Sequence, residues 1–192
     1  MDISQKIKSI KFSKINKLNK NELKKILIIR NEKKVRDNMI NNNIISYPEH
    51  IKWFAAKIKN VHDTEFFKII VKKQIIGLIT LSNVDKKNRS LEWAFYISKN
   101  FQNFFGALIE FKFLEYLFKN YKYLNKLNCK VLSFNEPVIK LHQRFGFKIE
   151  GEIRDYLIRD KKYYNLIYMG IKKKEYLKNS KTLKKKPIFK MI

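Results

Sequence analysis

One cysteine, Cys129, stands in a chain of 192 residues. That excludes an intrachain disulfide framework and any zinc cluster built on thiolates. The histidines are His50, His62 and His142, too far apart to show metal-ligand spacing, so no metal is expected. Carboxylates are in short supply, 17 Asp+Glu against 43 Lys+Arg. Glycine (5) and proline (3) are rarer still, and no Gly- or Pro-rich linker divides the chain. No uninterrupted apolar run approaches the roughly 20 residues that cross a bilayer. The opening MDISQKIKSIKF lacks the apolar stretch and small-residue cleavage site of a secretory signal. These absences leave the expectation of a cytoplasmic globular domain with no membrane partner.

What is present supports a folded core. A hydrophobic fraction of 45% with 14% aromatics is too apolar for a disordered chain. The length suits one domain of ordinary size. The net charge of +26 would suit a polyanion. The lysines, however, are spread along the chain among Asn, Ile, Tyr and Phe rather than gathered into one arm, so nucleic acid is not expected. Small ligands carrying phosphates would be electrostatically welcome. The segment after residue 172 is the most basic and is expected to fray.

Periodicity orders the elements. Residues 7–15 read as a first strand. Leu23, Ile26, Leu27 and Ile29 recur at helical spacing across 20–30. Ser46, Pro48 and Glu49 read as a capped helix start, with Glu49 three residues after Ser46. That helix runs to about residue 59 with Ile51, Phe54 and Ile58 on one face. Three strand-like runs, 66–71, 75–81 and 91–97, are joined by short polar turns and imply an antiparallel meander. Phe104, Leu108, Phe111, Leu114, Leu117 and Phe118 predict an amphipathic helix over 104–121. A strand at 129–134 leads into a helix closed by Gly146. Two further strands, about 147–158 and 163–171, flank the turn 159–162. The order β-α-α-βββ-α-β-α-ββ predicts an α/β domain with a mixed sheet.

The stretch VLSFNEPVIKLHQRFGFKIEGEIRDYLIRDKKYYNLIYMGI (131–171) resembles the C-terminal half of a GCN5-related N-acetyltransferase (GNAT): strand, Asn, short helix, "GF", two strands. More narrowly, IIRNEKKVRDNM (28–39), SYPEHIKWF (46–54), DKKNRSLEWAFYI (85–97) and NKLNCKVLSFNEPVIKLHQRFGF (125–147) resemble a sugar-nucleotide branch of that superfamily. Its members acetylate UDP-4-amino-4,6-dideoxy-N-acetyl-β-L-altrosamine in pseudaminic acid biosynthesis. The resemblance covers residues 20–171. It implies a GNAT domain over 1–172 followed by a basic extension, 173–192. It also implies a mostly antiparallel central sheet flanked by helices, splayed between its fourth and fifth strands.

The resemblance further implies acetyl-CoA as cosubstrate, bound where the strand 91–97 parts from the strand 129–134. Backbone groups of Ala94, Phe95, Tyr96 and Ile97 would pair with the pantetheine and polarise the thioester. Amides of the loop Gln102–Ala107, with Asn103 and Gly106, would hold the pyrophosphate, since helix N-termini favour anions. The usual loop carries two glycines, and Phe104 stands where the first would be. Asn135 fits the asparagine that contacts CoA, or serves as a helix N-cap. His142 occupies the slot of a tyrosine that protonates the departing thiolate; with an ordinary pKa near 6.5 it would be partly charged at neutral pH. His50, in "PEHIKW", would face the sugar nucleotide and contact a phosphate or help take the amine proton. Glu92 would act as base, directly or through water, or would pair with a lysine across the sheet. Arg30 and Asn31 match a substrate-side "RN" pair, with the Arg30 fork suited to a diphosphate. Met39, Thr80 and Trp93 would wall the deoxysugar and nucleobase, or belong to the core.

The expected activity is therefore direct acetyl transfer, in a ternary complex, to the 4-amino group of an anionic UDP-linked deoxyaminosugar. One rival keeps the fold and changes the acceptor to the N-terminal amine of a ribosomal or other protein. A second is a non-catalytic basic binding module, encouraged by Phe104. The fold has an edge that often dimerises, so the resemblance admits a homodimer.

Overall fold

The computed structural model describes residues 8–59 and 63–185. Residues 1–7, 60–62 (His62 among them) and 186–192 lie outside the described residues, as do the side chains of Asn103, Phe104 and Lys185. The described chain groups into two compact units, one from residues up to 84 with 93–109, the other from 85–92 with 110 onward.

The first unit is built from β1 (Ile10–Lys14), α1 (Lys20–Asn31), a helical turn at Lys33–Arg36, α2 (Tyr47–Lys59), β2 (Thr64–Val71), β3 (Gln74–Asp85) and the second half of β4 (Ser90–Ile97). Helix α1 starts where Asn19 Oδ1 accepts from the amides of Asn21 (3.1 Å) and Glu22 (3.2 Å), satisfying donors that have no partner inside the helix. Its buried residues are Leu23, Ile26, Leu27 and Ile29, the four that the periodicity selects. Helix α2 opens with the expected reciprocal cap. The Ser46 amide donates to Glu49 Oε2 at 2.8 Å, and the Glu49 amide donates back to Ser46 Oγ at 3.4 Å.

The apolar faces of these helices meet β2 and β3 in a cluster of Ile15, Leu23, Ile26, Phe54, Phe66 and Leu78. Each such side chain, fully buried, contributes ~1.5–3 kcal/mol before chain entropy is charged against it. Strands β1, β2 and β3 pair antiparallel. At Gly77 in β3 a Cβ would collide with the Tyr96 carbonyl, so only glycine allows β3 and β4 to lie this close.

The second unit holds Asp85–Glu92, the bulk of α3 (Gln102–Asn120), β5 (Lys126–Leu132), α4 (Glu136–Phe145), β6 (Lys148–Arg159), β7 (Lys162–Lys172) and α5 (Lys173–Lys185). Strand β5 pairs antiparallel with β7, and β7 with β6. Strand β4 pairs parallel with β5 over Ser90↔Lys126, Leu91↔Leu127 and Glu92↔Asn128, three residues of the eight in β4. The sheet is thus mixed, seven strands in the order β1-β2-β3-β4-β5-β7-β6.

Three expectations are corrected. The strand expected at 129–134 begins at Lys126 and ends at Leu132, because Asn135 N–H closes a turn on the Leu132 carbonyl at 2.9 Å. The helix expected from residue 104 already starts at Gln102, after a 3-10 turn at Lys99–Phe101, so 102–107 is helix rather than loop. The tail does not fray at once. Lys173–Lys185 is α5, opened by the Lys172 amide donating to Glu175 Oε2 at 2.9 Å. Its Tyr176 ring stacks on Phe118 at 4.6 Å, and Lys184 pairs with Glu115 at 2.7 Å.

Candidate active site

In the first unit, α1, α2 and β4 each bring one polar side chain into an otherwise apolar interior. Arg30 ends α1. One of its nitrogens, Nη2, donates to the Asn41 carbonyl at 2.6 Å. The other, Nη1, is buried with no hydrogen-bond partner among the described residues. Burial draws the Arg30 pKa down, Tyr96 acts in the opposite sense, and the charge of Arg36 adds to the fall. His50, on α2, is 4% exposed and stands edge-on to Phe54 at 4.8 Å. Desolvation, helped by the Arg30 charge, lowers its pKa to about 4, so the ring is neutral at pH 7. Its Nδ1 is also buried without a partner among the described residues. Burial raises the Tyr96 pKa far above the usual phenol range against the pull of Arg30, so the hydroxyl keeps its proton.

The structure places the other residues expected on the substrate side less evenly. Asn31 is consumed by structure. Its Nδ2 donates to the Ile45 carbonyl at 2.8 Å and its Oδ1 accepts from the Ile45 amide at 3.0 Å. Arg36 supports the same segment through the carbonyls of Asn31 (3.0 Å) and Asn42 (2.7 Å). Met39 and Thr80 are half-buried. Trp93, 1% exposed and tilted against Phe95 at 5.2 Å, belongs to the core of its unit.

On the expected cofactor side, β4 carries Ala94 exposed, Phe95 and Tyr96 half-buried and Ile97 buried. Gln102 Nε2 donates to the Ile97 carbonyl at 3.2 Å. Gly106 is buried, Ala107 half-buried, and both are helical. Position 104 lies within helix α3, so the positive φ that would penalise Phe104 is not required there. Helix α3 begins at Gln102, directly after the 3-10 turn at Lys99–Phe101. Glu32, which sequence reasoning missed, braces this end. Its carboxylate accepts from Ser98 Oγ at 2.8 Å and from the Lys99 amide at 2.7 Å.

In the second unit, Asn135 occupies the N-cap position of α4, but its side chain makes no capping bond. Its backbone carbonyl does the work, accepting from Val138 at 3.0 Å and Ile139 at 3.2 Å. Glu92, expected as a base, pairs with Lys130 at 2.8 Å, and Lys130 lies 5.1 Å from the Tyr168 ring. The hydrogen bond that Lys130 donates to Glu92 raises the Lys130 pKa, with burial opposing and Tyr168 assisting. This is the cross-strand lysine partnership that the sequence offered as the alternative.

His142 is not the partly charged residue expected. It is 4% exposed, and its Nδ1 lies 2.8 Å from Oε1 of Glu110, itself 0% exposed. Desolvation pushes its pKa down. Glu110 and then Cys129, both hydrogen-bonded to the ring, push it up, to a net value of about 10. His142 is therefore an imidazolium at neutral pH. Glu110 escaped sequence reasoning because it interrupts an apolar run. The available signal was its spacing, four residues after Gly106 and four before Leu114, on the stripe that α3 buries.

Among the described residues no cluster of three or more His, Cys, Asp or Glu could hold a metal, and no helix is long and apolar enough to cross a membrane.

Residues 15–167 match the family model described as an acetyltransferase (GNAT) domain, and the chain belongs to that family of N-acetyltransferases, which use acetyl-CoA. Among curated relatives it is similar to the acetyltransferase PseH of Campylobacter jejuni, 29% identical over 147 residues that cover 77% of this chain and 90% of the relative. It is also similar to spermidine N(1)-acetyltransferase of Escherichia coli, 29% identical over 65% of this chain and 68% of that one. The spermidine N-acetyltransferase of Vibrio cholerae, solved with CoA and spermine, shares its fold with a TM-score of 0.77 at 21% identity, covering 88% of this chain and 99% of the other.

Proposed function

We propose that this protein transfers the acetyl group of acetyl-CoA to the 4-amino group of a UDP-linked deoxyaminosugar, as in pseudaminic acid biosynthesis. One observation carries the choice of acceptor. Arg30 Nη1 and His50 Nδ1 are buried polar atoms without partners among the described residues, in a chain of net charge +26. A buried donor left unsatisfied costs roughly 1–3 kcal/mol, more when charged, and a ligand that supplies the acceptor recovers it. A diphosphate does so for a guanidinium. A polyamine, which the spermidine enzymes named above acetylate, would bring its own positive charge to the Arg30 cation. The PseH similarity points the same way.

Each residue then has a task. Arg30 anchors the acceptor's phosphates. His50, neutral at pH 7, exchanges a hydrogen bond with the acceptor. With a pKa near 4 it is too weak a base for an ammonium proton, so the amine reaches its neutral form by equilibrium with solvent. In the first unit, backbone groups of Ala94–Ile97 and the start of α3 from Gln102 would hold the cofactor. In the second, Asn135, whose amide is not spent on capping, would contact it. When bound, the cofactor supplies an acyl group activated as a thioester. His142 holds the proton that neutralises the departing sulfur, while Glu92, paired with Lys130, fixes local charge.

The test is thiol release from acetyl-CoA in the presence of the UDP-aminosugar, of spermidine, or of a ribosomal-protein N-terminal peptide. Turnover with the sugar nucleotide alone is expected. Arg30→Ala should raise its KM at least tenfold with little change in that for acetyl-CoA. Preference for spermidine or peptide would refute the acceptor assignment.

A further inference from the structure

Glu110 is an isolated carboxylate on the buried stripe of α3, flanked by Ile109 and Phe111 and followed by Phe113, Leu114 and Leu117, all nearly inaccessible. An ionised carboxylate in such a place requires a specific partner. It has one: Oε1 meets His142 Nδ1 at 2.8 Å, while Oε2 is buried with no hydrogen-bond partner among the described residues. Cys129 from β5, a hydrogen-bond partner, and the Phe147 ring beyond α4 at 5.1 Å also face the ring.

We infer that Glu110 is a positioning residue for acetyl transfer: it fixes the His142 ring through Nδ1 and favours its doubly protonated form, so that the ring has a proton to give the departing thiolate. The inference rests on the acetyltransferase reading above and names the group on which its proton donor depends. The amine nitrogen forms the new C–N bond and the C–S bond breaks. The sulfur takes a proton from the His142 imidazolium, the amine releases one to solvent, and His142 is reprotonated from solvent. A tyrosine, protonated at pH 7 on its own, would need no such carboxylate. The histidine does, because burial alone would strip its charge.

The experiment uses the full-length protein and its Glu110→Gln variant, which is near-isosteric and retains one hydrogen bond. The ring nitrogens of His142 are followed by ¹⁵N NMR, and thiol release is followed from pH 5 to 10. In the wild type the ring should be doubly protonated at pH 7.5. In Glu110→Gln it should be neutral there, kcat at pH 7.5 should fall 10- to 100-fold with KM for acetyl-CoA unchanged, and activity should recover as pH drops below about 6.5. His142→Tyr should be insensitive to Glu110→Gln, which separates positioning from mere structural support. A wild-type ring that is singly protonated at pH 7.5, or a Glu110→Gln pH profile that overlays the wild type, overturns the inference while leaving the acetyltransferase reading intact. Absence of thiol release from wild-type protein with every acceptor would overturn both.

Discussion

At the scale of single residues, the two described histidines show how strongly surroundings override an intrinsic pKa. His50 and His142 are both 4% exposed, yet one is held neutral and the other charged. The difference is the partner, a guanidinium near the first and a carboxylate against the second. The consequence for His50 can be measured. Its folded pKa, about 4, lies below the ordinary 6.5, so the unfolded chain binds the extra proton between those values. Stability is therefore undiminished by this group above pH 6.5 and declines as pH falls toward 4, by up to roughly 3 kcal/mol. Urea denaturation of His50→Gln across pH 4–7 should show a flatter acid limb than the wild type. An identical slope would mean that the ring titrates freely in the folded state. The sequence named both histidines but could not assign their charge. His50 is adjusted by Arg30, twenty positions away, and His142 by Glu110, thirty-two away, and neither separation leaves a local pattern.

At the scale of elements, legibility tracked periodicity and capping chemistry. Helices α1 and α2 were readable because Leu23, Ile26 and Leu27, and Ile51, Phe54 and Ile58, recur at the spacing of one face, and because Ser46 and Glu49 form a local motif. Helix α5 was not, since its lysines disguise a stripe in which Tyr176, Ser180 and Leu183 are buried. Gly146 was legible as the cap of α4 and is found there at φ +100°. A Cβ at that position would also run into the Asn179 side chain of α5. Gly146→Ala should cost ~2 kcal/mol or more, combining left-handed strain with the collision. Thermal denaturation of that variant beside Gly146→Ala/Asn179→Ala would separate the two contributions, and no loss in either would contradict the cap geometry.

At the scale of the whole molecule, the charge of +26 is the property that composition announced most plainly and that the fold accommodates only in part. Nine ion pairs are formed among the described residues, most of them on the surface, and the excess of lysine has no anion within the chain. Self-repulsion of that size disfavours the compact state at low ionic strength. Raising salt from about 10 mM to 200 mM, which shortens the screening length from ~30 Å to below 10 Å, should raise the melting temperature. Acetyl-CoA should raise it further, because a ligand that binds only the native state stabilises it by mass action. A melting temperature indifferent to salt would mean that the lysines are far enough apart to ignore one another.

The hairpin between β2 and β3 turns on Lys72 and Lys73 with φ of 47° and 66°, and the one between β6 and β7 on Asp160 and Lys161 with φ of 50° and 61°. Both are two-residue reversals of the kind usually entrusted to Asn-Gly, and left-handed backbone costs an ordinary L-residue roughly 1–2 kcal/mol. Neither ribbon therefore receives encouragement from its own apex. Their pairing rests on side chains docking along the strands rather than on the turns themselves.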